Sequence, residues 1–444
     1  MTDPVTHIYL DEAPGQTRVA FIRGKADAGL DAHDVTPNAI VEIWHRRWDT
    51  PSLIGTVHIA RIEQVFGTQN RATAHLHDAT TVSIRLRAKD QPKPGELQAI
   101  TITAAPRQGK PWQAVLGARL VSRYGILLPG SSAIHRSKRF SASGDAGDAM
   151  ETAIRAILPH DFGFIMRSSA SALSVEAMEA EVRALLDAWH TGAQMPSDQI
   201  NMAHAPCLIH DAGGLAGQIA RHAPDAQTIH AHDVPARQHL ANTLDGVVED
   251  ALQAKVPLPN GGCLWCQRTH ALWAIDLDSA GYSNPKAEDM MQALVMDAMP
   301  EMIRQIRLRA MGGALCIDLP RLGSKARKTF LTRFADACAD DPRAPEILGF
   351  TRGGLLELRV PHGEQALADI MADRIAQTAL AGLRLAALHI ASSPATPEIK
   401  LAVSAPVARW LADEGTSACA MLDRPLRPVV LSDSAPDAPA YIVN

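Results

Sequence analysis

The chain has 444 residues, 46% hydrophobic and 20% charged, which marks it as globular rather than disordered and too long for a single core. A formal net charge of −5 with only 4% aromatic residues excludes bulk charge coating of nucleic acid and widespread base stacking, while leaving local basic tracks open. The six cysteines are irregularly spaced, as expected in a reducing cytoplasm. Met1–Val5 has neither the basic nor the apolar region of a signal peptide. No apolar run of about 18 residues predicts a membrane span.

Alternation predicts strands through 5–45, marked by Ile8 and Leu10, Val19 and Phe21, and Ile40 to Trp44. Residues 53–104 read as a small all-β module: 54–62, 81–86 and 97–102 alternate well, and turn-rich Lys89–Gly95 separates the last two. Strands at this spacing suggest a five-stranded barrel, of which the oligonucleotide-binding kind is one option. A β pair is predicted around Tyr124–Pro129, then a basic loop Arg136–Arg139 and a helix near 146–157. Gly163–Arg167 reads as a strand running into a polar turn. Ser174 is placed to cap a helix of about 18 residues, with Glu176 and Glu179 in its first turns. A strand at Pro206–His210 and a helix over 236–254 follow. Two acid-bearing strands come next, separated by a helical pattern over 287–310. Pro300 inside that pattern predicts a kink or break, because proline in a helix interior costs about 3 kcal/mol. A helix opens at Ser324 and runs to about Ala339. Glu346–Phe350 and Leu355–Arg359 read as strands. The remainder reads as a helix over 363–389, a strand over 398–404, a helix over 405–414, and short strands near 428–432 and 440–443.

The acid-bearing strands are Ala271–Ala280, which contains Asp276 and Asp278, and Gly312–Leu319, which contains Asp318. An Asp within an Ile, Leu and Trp run is costly to bury without a cation or hydrogen bonds. On adjacent strands the two runs can bring three carboxylates together, which suits Mg²⁺ with water and substrate phosphate completing its shell. The alternative for each Asp is a turn or helix cap.

Several segments in this order resemble the ribonuclease E/G family, in a divergent, short form. They are Pro257–Gly262, Ala274–Ala280, Arg307–Gly313, Ile317–Asp318 and Thr351–Glu357. More weakly, Ala205–His210 looks like that family's ribonuclease-H-like segment, 53–104 like its S1 barrel, and 124–200 like its 5′-end sensor. The resemblance implies an α/β protein of several subdomains. These are a ribonuclease-H-like part in two pieces (1–52 and 201–256), an inserted S1/OB-type barrel (53–116), a 5′-sensor-like region (117–200), a DNase-I-like catalytic subdomain (257–361) and a small C-terminal domain (362–444).

It further implies a cytoplasmic, Mg²⁺-dependent endoribonuclease of RNA processing or decay, acting on single-stranded RNA with preference for 5′-monophosphate ends. Mn²⁺ is an alternative ion. Asp276 and Asp318 would hold the metal. Asp278 stands where the family usually has an Asn, as a further ligand or an orienting group. Arg167, Ser168 and Arg352 match the 5′-phosphate sensor. Lys110 matches a lysine near the cut site. Arg139, Arg309, Lys325 and Lys328 are further candidates for RNA contact, each with the alternative of a solvated or dipole-complementing cation.

The family's larger members carry a Cys-x-x-Cys zinc link after the nuclease part, but Arg359–Leu367 contains no cysteine. No structural zinc is therefore expected and no membrane partner, and a homo-oligomer stays open only in a form that is not zinc-linked. Cys263 and Cys266 sit in a predicted strand, where residues three apart face opposite sides, so they read as buried thiols. Ala74–His77 and Ser83–Ile84 lack the expected aromatics, so the barrel's grip on RNA is expected to be weak. The alternative reading is a non-catalytic RNA-binding protein derived from the family, concerned with ribosomal RNA or regulation.

Overall fold

A computed structural model describes residues 4–24, 30–137, 140–141, 144–193, 206–284, 289–339, 341–431 and 434–443. The chain divides into two compact units, one made of 53–225 with 362–365, the other of 1–52, 226–361 and 366–444.

The first unit contains a closed five-stranded barrel. Its strands Val57–Phe66, Arg71–His75, Thr81–Arg85, Trp112–Leu116 and Leu97–Ala104 pair in that order, and Val57–Arg61 pairs back on Leu97–Thr101. Alternation explains its core: Ala60, Ile62, Ala72, Ala74, Val82, Ile84, Ile100 and Ile102 point inward and are buried. Cys207–His210, expected with the ribonuclease-H-like part, instead adds antiparallel to the first barrel strand, and its unit continues to residue 225. A second sheet orders Ile134–Arg136, Phe162–Met166, Gly125–Pro129 and Leu120–Val121. It shares an apolar core with the helices Gly144–Ile157 and Val175–Gly192. Ser174 caps the second helix as expected, its hydroxyl accepting from the Ala177 amide at 3.2 Å.

In the other unit, Val5–Ala13, Gln16–Arg23 and Ile40–Arg47 form an antiparallel meander, and Gln227–Ile229 joins it parallel to the first strand. Helix Val234–Leu252 covers this sheet through Leu240, Leu244 and Val247.

The acid-bearing strands lie in a separate six-stranded sheet. We number its elements β1 (Lys255–Pro257), β2 (Cys263–Arg268), β3 (Leu272–Asp278), α1 (Met290–Leu308), β4 (Gly313–Asp318), α2 (Ser324–Cys338), β5 (Glu346–Phe350) and β6 (Leu356–Val360). The order is β1-β2-β3-β4-β6-β5. β3 and β4 run parallel, joined through α1, and the other pairings are antiparallel. Trp273, Ile275, Leu277, Leu315, Ile317, Leu356 and Leu358 face one side, where Leu294, Ala298, Met302, Phe330 and Phe334 from α1 and α2 cover them.

α1 runs through Pro300 unbroken from Met290 to Leu308, so the predicted break does not occur. The lost backbone bond is offset by packing, since Ala298 and Met302 on either side are fully buried. The helix expected over 363–389 is two helices, Leu367–Met371 and Arg374–Ser392, because Asp373 caps the second by accepting from the Ala376 amide. Arg374–Ser392 is long and apolar enough to span a membrane by length and composition. Here it is a core helix: Ala379, Leu380 and Leu383 pack against Leu401 and Val403, and buried Arg384 pairs with Asp11 at 2.8 Å.

Candidate active site: two carboxylates at the ends of parallel strands

β3 and β4 are in register, so Asp276 stands directly opposite Asp318. Both follow an inward Ile, and alternation turns both carboxylates to the open face of the sheet, where they are exposed. They sit at the carboxyl ends of the parallel pair, the edge where α/β sheets place their ligands. Asp276 takes up its proton above the ordinary carboxylate range, held there first by partial burial, then by the charges of Asp318 and Asp278.

Asp278, two residues on, serves the turn. Its Oδ1 accepts from the Ala280 amide at 2.9 Å. The Asn-Gly-Gly segment before β2 closes against this same turn. Gly261 has φ +85°, and a Cβ there would lie 2.0 Å from the Gly281 carbonyl oxygen. The Gly262 amide donates to the Ala280 carbonyl at 3.0 Å. Glycines are thus required to bring the loop's backbone against the chain leaving β3.

Among the described residues no three His, Cys, Asp or Glu side chains converge to hold a metal ion. Asp276 and Asp318 stand as a pair in register, and Asp278 beside them is engaged by a backbone amide. The pair still fits Mg²⁺, which is commonly held by one or two carboxylates with water and substrate phosphates completing its shell. The neighbouring charges of Asp318 and Asp278, which add to the effect of burial in raising Asp276, are the kind a cation would offset.

Asp278→Asn keeps an oxygen for the Ala280 bond and removes one negative charge near Asp276. Less repulsion favours the ionised form. In the metal-free protein Asp276 is therefore expected to titrate at lower pH than in the wild type, measured by the ¹³C shift of its carboxyl carbon. An unchanged or higher midpoint would contradict the assignment of that repulsion.

The other expected residues are dispersed. Lys325 and Lys328 are exposed on the first turns of α2, the helix that follows Asp318. Their neighbour Arg327 lies 4.9 Å over the Phe350 ring. Arg352 is exposed in the turn closed by the Thr351 amide and the Leu355 carbonyl at 2.8 Å. Arg167 and Ser168 belong to the barrel-containing unit. Arg167 is half-buried, its Nη1 donating to the Ser122 carbonyl at 2.7 Å, and Ser168 opens the short turn Ser168–Ala172. Lys110 is exposed at a tight turn in which Gln108 and Gly109 both have positive φ. Arg139 lies outside the described residues.

Arg309 is corrected. It is 6% exposed, its Nε donating to Gln305 at 2.6 Å and its Nη2 to the Gln253 carbonyl at 2.7 Å, so it cannot meet RNA. Arg304 and Arg307 are buried likewise, donating to the Pro37 and Ile40 carbonyls and to Glu42. The last turns of α1 pack against the strand Ile40–Arg47, which covers the face these arginines occupy. Cys263 and Cys266 are buried on β2, and burial pushes the Cys266 thiol up to about 11.

Two side chains on the open face were not singled out from the sequence. Glu357 stands opposite Cys316, hence diagonal to Asp318. Trp265 stands opposite Asp276. The alternation of Leu356, Glu357, Leu358 was the available signal for the first, and that of Leu264, Trp265, Cys266 for the second.

Fold and site together define a mixed α/β protein with a closed five-stranded barrel and a carboxylate pair at the ends of two parallel strands. A sequence model described as "Ribonuclease E/G family" matches residues 119–243 and 230–359. The chain belongs to the ribonuclease E/G family. Among curated relatives, "Ribonuclease E" of Escherichia coli (strain K12) is 23% identical over 406 residues, 81% of this chain and 38% of that protein. "Ribonuclease E/G-like protein, chloroplastic" of Arabidopsis thaliana is 21% identical over 378 residues, 74% of this chain and 36% of that protein. "Ribonuclease G" of Escherichia coli (strain K12) is 20% identical over 418 residues, 82% of this chain and 81% of that protein. The chain thus spans well under half the length of the first two relatives and about four fifths of the third.

Proposed function

We propose that this chain is a Mg²⁺-dependent endoribonuclease cutting single-stranded RNA, with preference for 5′-monophosphate ends, in RNA processing or decay. The observation that carries the reading is the register of Asp276 with Asp318, exposed side by side in a family whose curated relatives are named ribonucleases.

In this reading Asp276 and Asp318 hold the ion. When bound, it supplies Lewis-acid polarisation of a phosphoryl oxygen and an acidified water as nucleophile. The ion also makes the site compatible with its substrate, because two bare carboxylates repel a phosphodiester. Asp278, held by the Ala280 amide, fixes the turn that ends β3 and adds negative charge beside the pair. Lys325 and Lys328 offer charge to backbone phosphates on the α2 side, and Lys110 does so on the barrel. Arg167 with Ser168, and Arg352, are the candidates for the 5′ phosphate, where a guanidinium and a hydroxyl suit the group's oxygens. Water attack leaves a 3′ hydroxyl and a 5′ phosphate.

The test incubates the full chain with single-stranded RNA bearing a 5′ monophosphate or a 5′ hydroxyl, with Mg²⁺ or EDTA. Internal cleavage is expected only with Mg²⁺ and faster on the monophosphate. No cleavage in Mg²⁺ would defeat the reading and leave RNA binding without catalysis. Equal rates on the two ends would remove the sensor alone.

A further inference from the structure

The open face of the β1–β6 sheet carries a row of four side chains that the proposed chemistry does not fully use. Lys255 pairs with Trp265, Trp265 with Asp276, and Asp276 with Asp318, across four neighbouring strands. Directly opposed residues share a face of the sheet, with Cβ atoms about 4.5–5.5 Å apart. Cation, indole, carboxylate and carboxylate therefore stand in line.

Trp265 is 37% exposed, although the core directly beneath the sheet is where an indole would gain most from burial. Aromatics make up only 4% of the chain, and Trp48 is the other tryptophan strongly exposed among the described residues. On β3 the diagonal neighbours of Trp265 on the open face are the small Ala274 and the turn residue Asp278. Lys255 approaches the ring, its Nζ 5.7 Å from the centroid. A base has a π-face for the indole, and its backbone carries the negative charge that an ammonium attracts. The barrel strands Arg71–His75 and Thr81–Arg85, where the resemblance led us to expect stacking, carry no Phe, Tyr or Trp.

We propose that Trp265 is a stacking platform for the nucleobase next to the scissile phosphate, with Lys255 neutralising the backbone on its outer side. The inference rests on the ribonuclease reading of Asp276 and Asp318 and adds a positioning residue to it. One strand spacing, about 4.8 Å, separates the platform from Asp276, so a base seated on the indole brings its own sugar-phosphate toward the carboxylates. Stacking tolerates any base, so the subsite would fix position along the strand rather than sequence.

The test uses the full chain and a short, end-labelled single-stranded RNA. Cleavage is followed in Mg²⁺, and affinity is measured by fluorescence anisotropy in the Asp318→Asn background, where the RNA stays intact. Trp265→Leu is expected to weaken binding about 5- to 150-fold, the range for one stacked base, and Trp265→Phe to retain most of the affinity. An RNA with an abasic residue beside the cut site should lose affinity for the Trp265 chain and lose nothing further on Trp265→Leu. If the wild type cuts RNA but Trp265→Leu binds as tightly as its parent, the platform is wrong and the ribonuclease reading stands. If the wild type neither binds nor cuts RNA, both fall.

Discussion

Asp318→Asn is expected to lower RNA cleavage by at least about 100-fold, since even the outer partners of a metal site are worth about 10–100-fold. Thermal stability should not fall with it. Asp318 is exposed at the end of β4, and exposed substitutions usually change stability by less than about 0.5 kcal/mol. The substitution also removes the larger of the two neighbouring charges that, after partial burial, raise the proton affinity of Asp276. It therefore separates chemistry from folding more cleanly than a core change. Three measurements carry the argument: the cleavage rate, the Mg²⁺ concentration for half-maximal rate, and affinity for uncut RNA. The rate should collapse, the Mg²⁺ requirement should rise, and RNA should still bind. Asp276→Asn should behave alike, and the double variant should be scarcely worse than either, because two ligands of one ion act as a unit. Cleavage surviving Asp318→Asn within tenfold would move the reaction centre elsewhere.

The carboxylate pair was legible because it depends on local rules. Each Asp ends an alternating run, and two runs joined by one helix become parallel neighbours with little freedom of register. The Ser174 cap was legible for the same reason, and the closed barrel followed from strand spacing. The errors share a different origin. A periodic pattern shows that a face is polar but not what covers it. Arg309 reads as a cation ending a helix, yet it is buried, and its neighbours Arg304 and Arg307 are covered by the strand Ile40–Arg47, folded from the far end of the sequence. Cys207–His210 likewise reads as a strand, and only tertiary pairing assigns it to the barrel sheet. Asp278 caps a turn, while Asp276 and Asp318 face each other. Trp265 and Glu357 went unread because their importance lies in register with another strand, which no single run contains.

The second large effect concerns stability. Arg307→Ala is expected to destabilise the fold by about 3–5 kcal/mol, the range for breaking a buried ion pair by removing one partner. The Arg307 and Glu42 side chains are 2% and 9% exposed, with Nη2 donating to Oε2 at 2.8 Å. Glu42 also accepts from the Trp44 indole at 2.8 Å, so the carboxylate is fixed in place and cannot follow water outward when its cation is gone. The pair joins α1 to the strand Ile40–Arg47. Its loss should therefore loosen the packing that carries α1 beneath the β3–β4 pair, well away from the carboxylates themselves. The expected pattern is a marked fall in the unfolding midpoint, with RNA cleavage per folded molecule near normal at temperatures below the transition. Lys328→Ala, at an exposed site on α2, should leave stability within about 0.5 kcal/mol of wild type. Calorimetry of the two variants against wild type decides the matter: an Arg307→Ala transition that coincides with wild type would mean that α1 does not depend on this pair. A stable Arg307→Ala chain with lost cleavage would give the arginine a role in cleavage that its burial argues against.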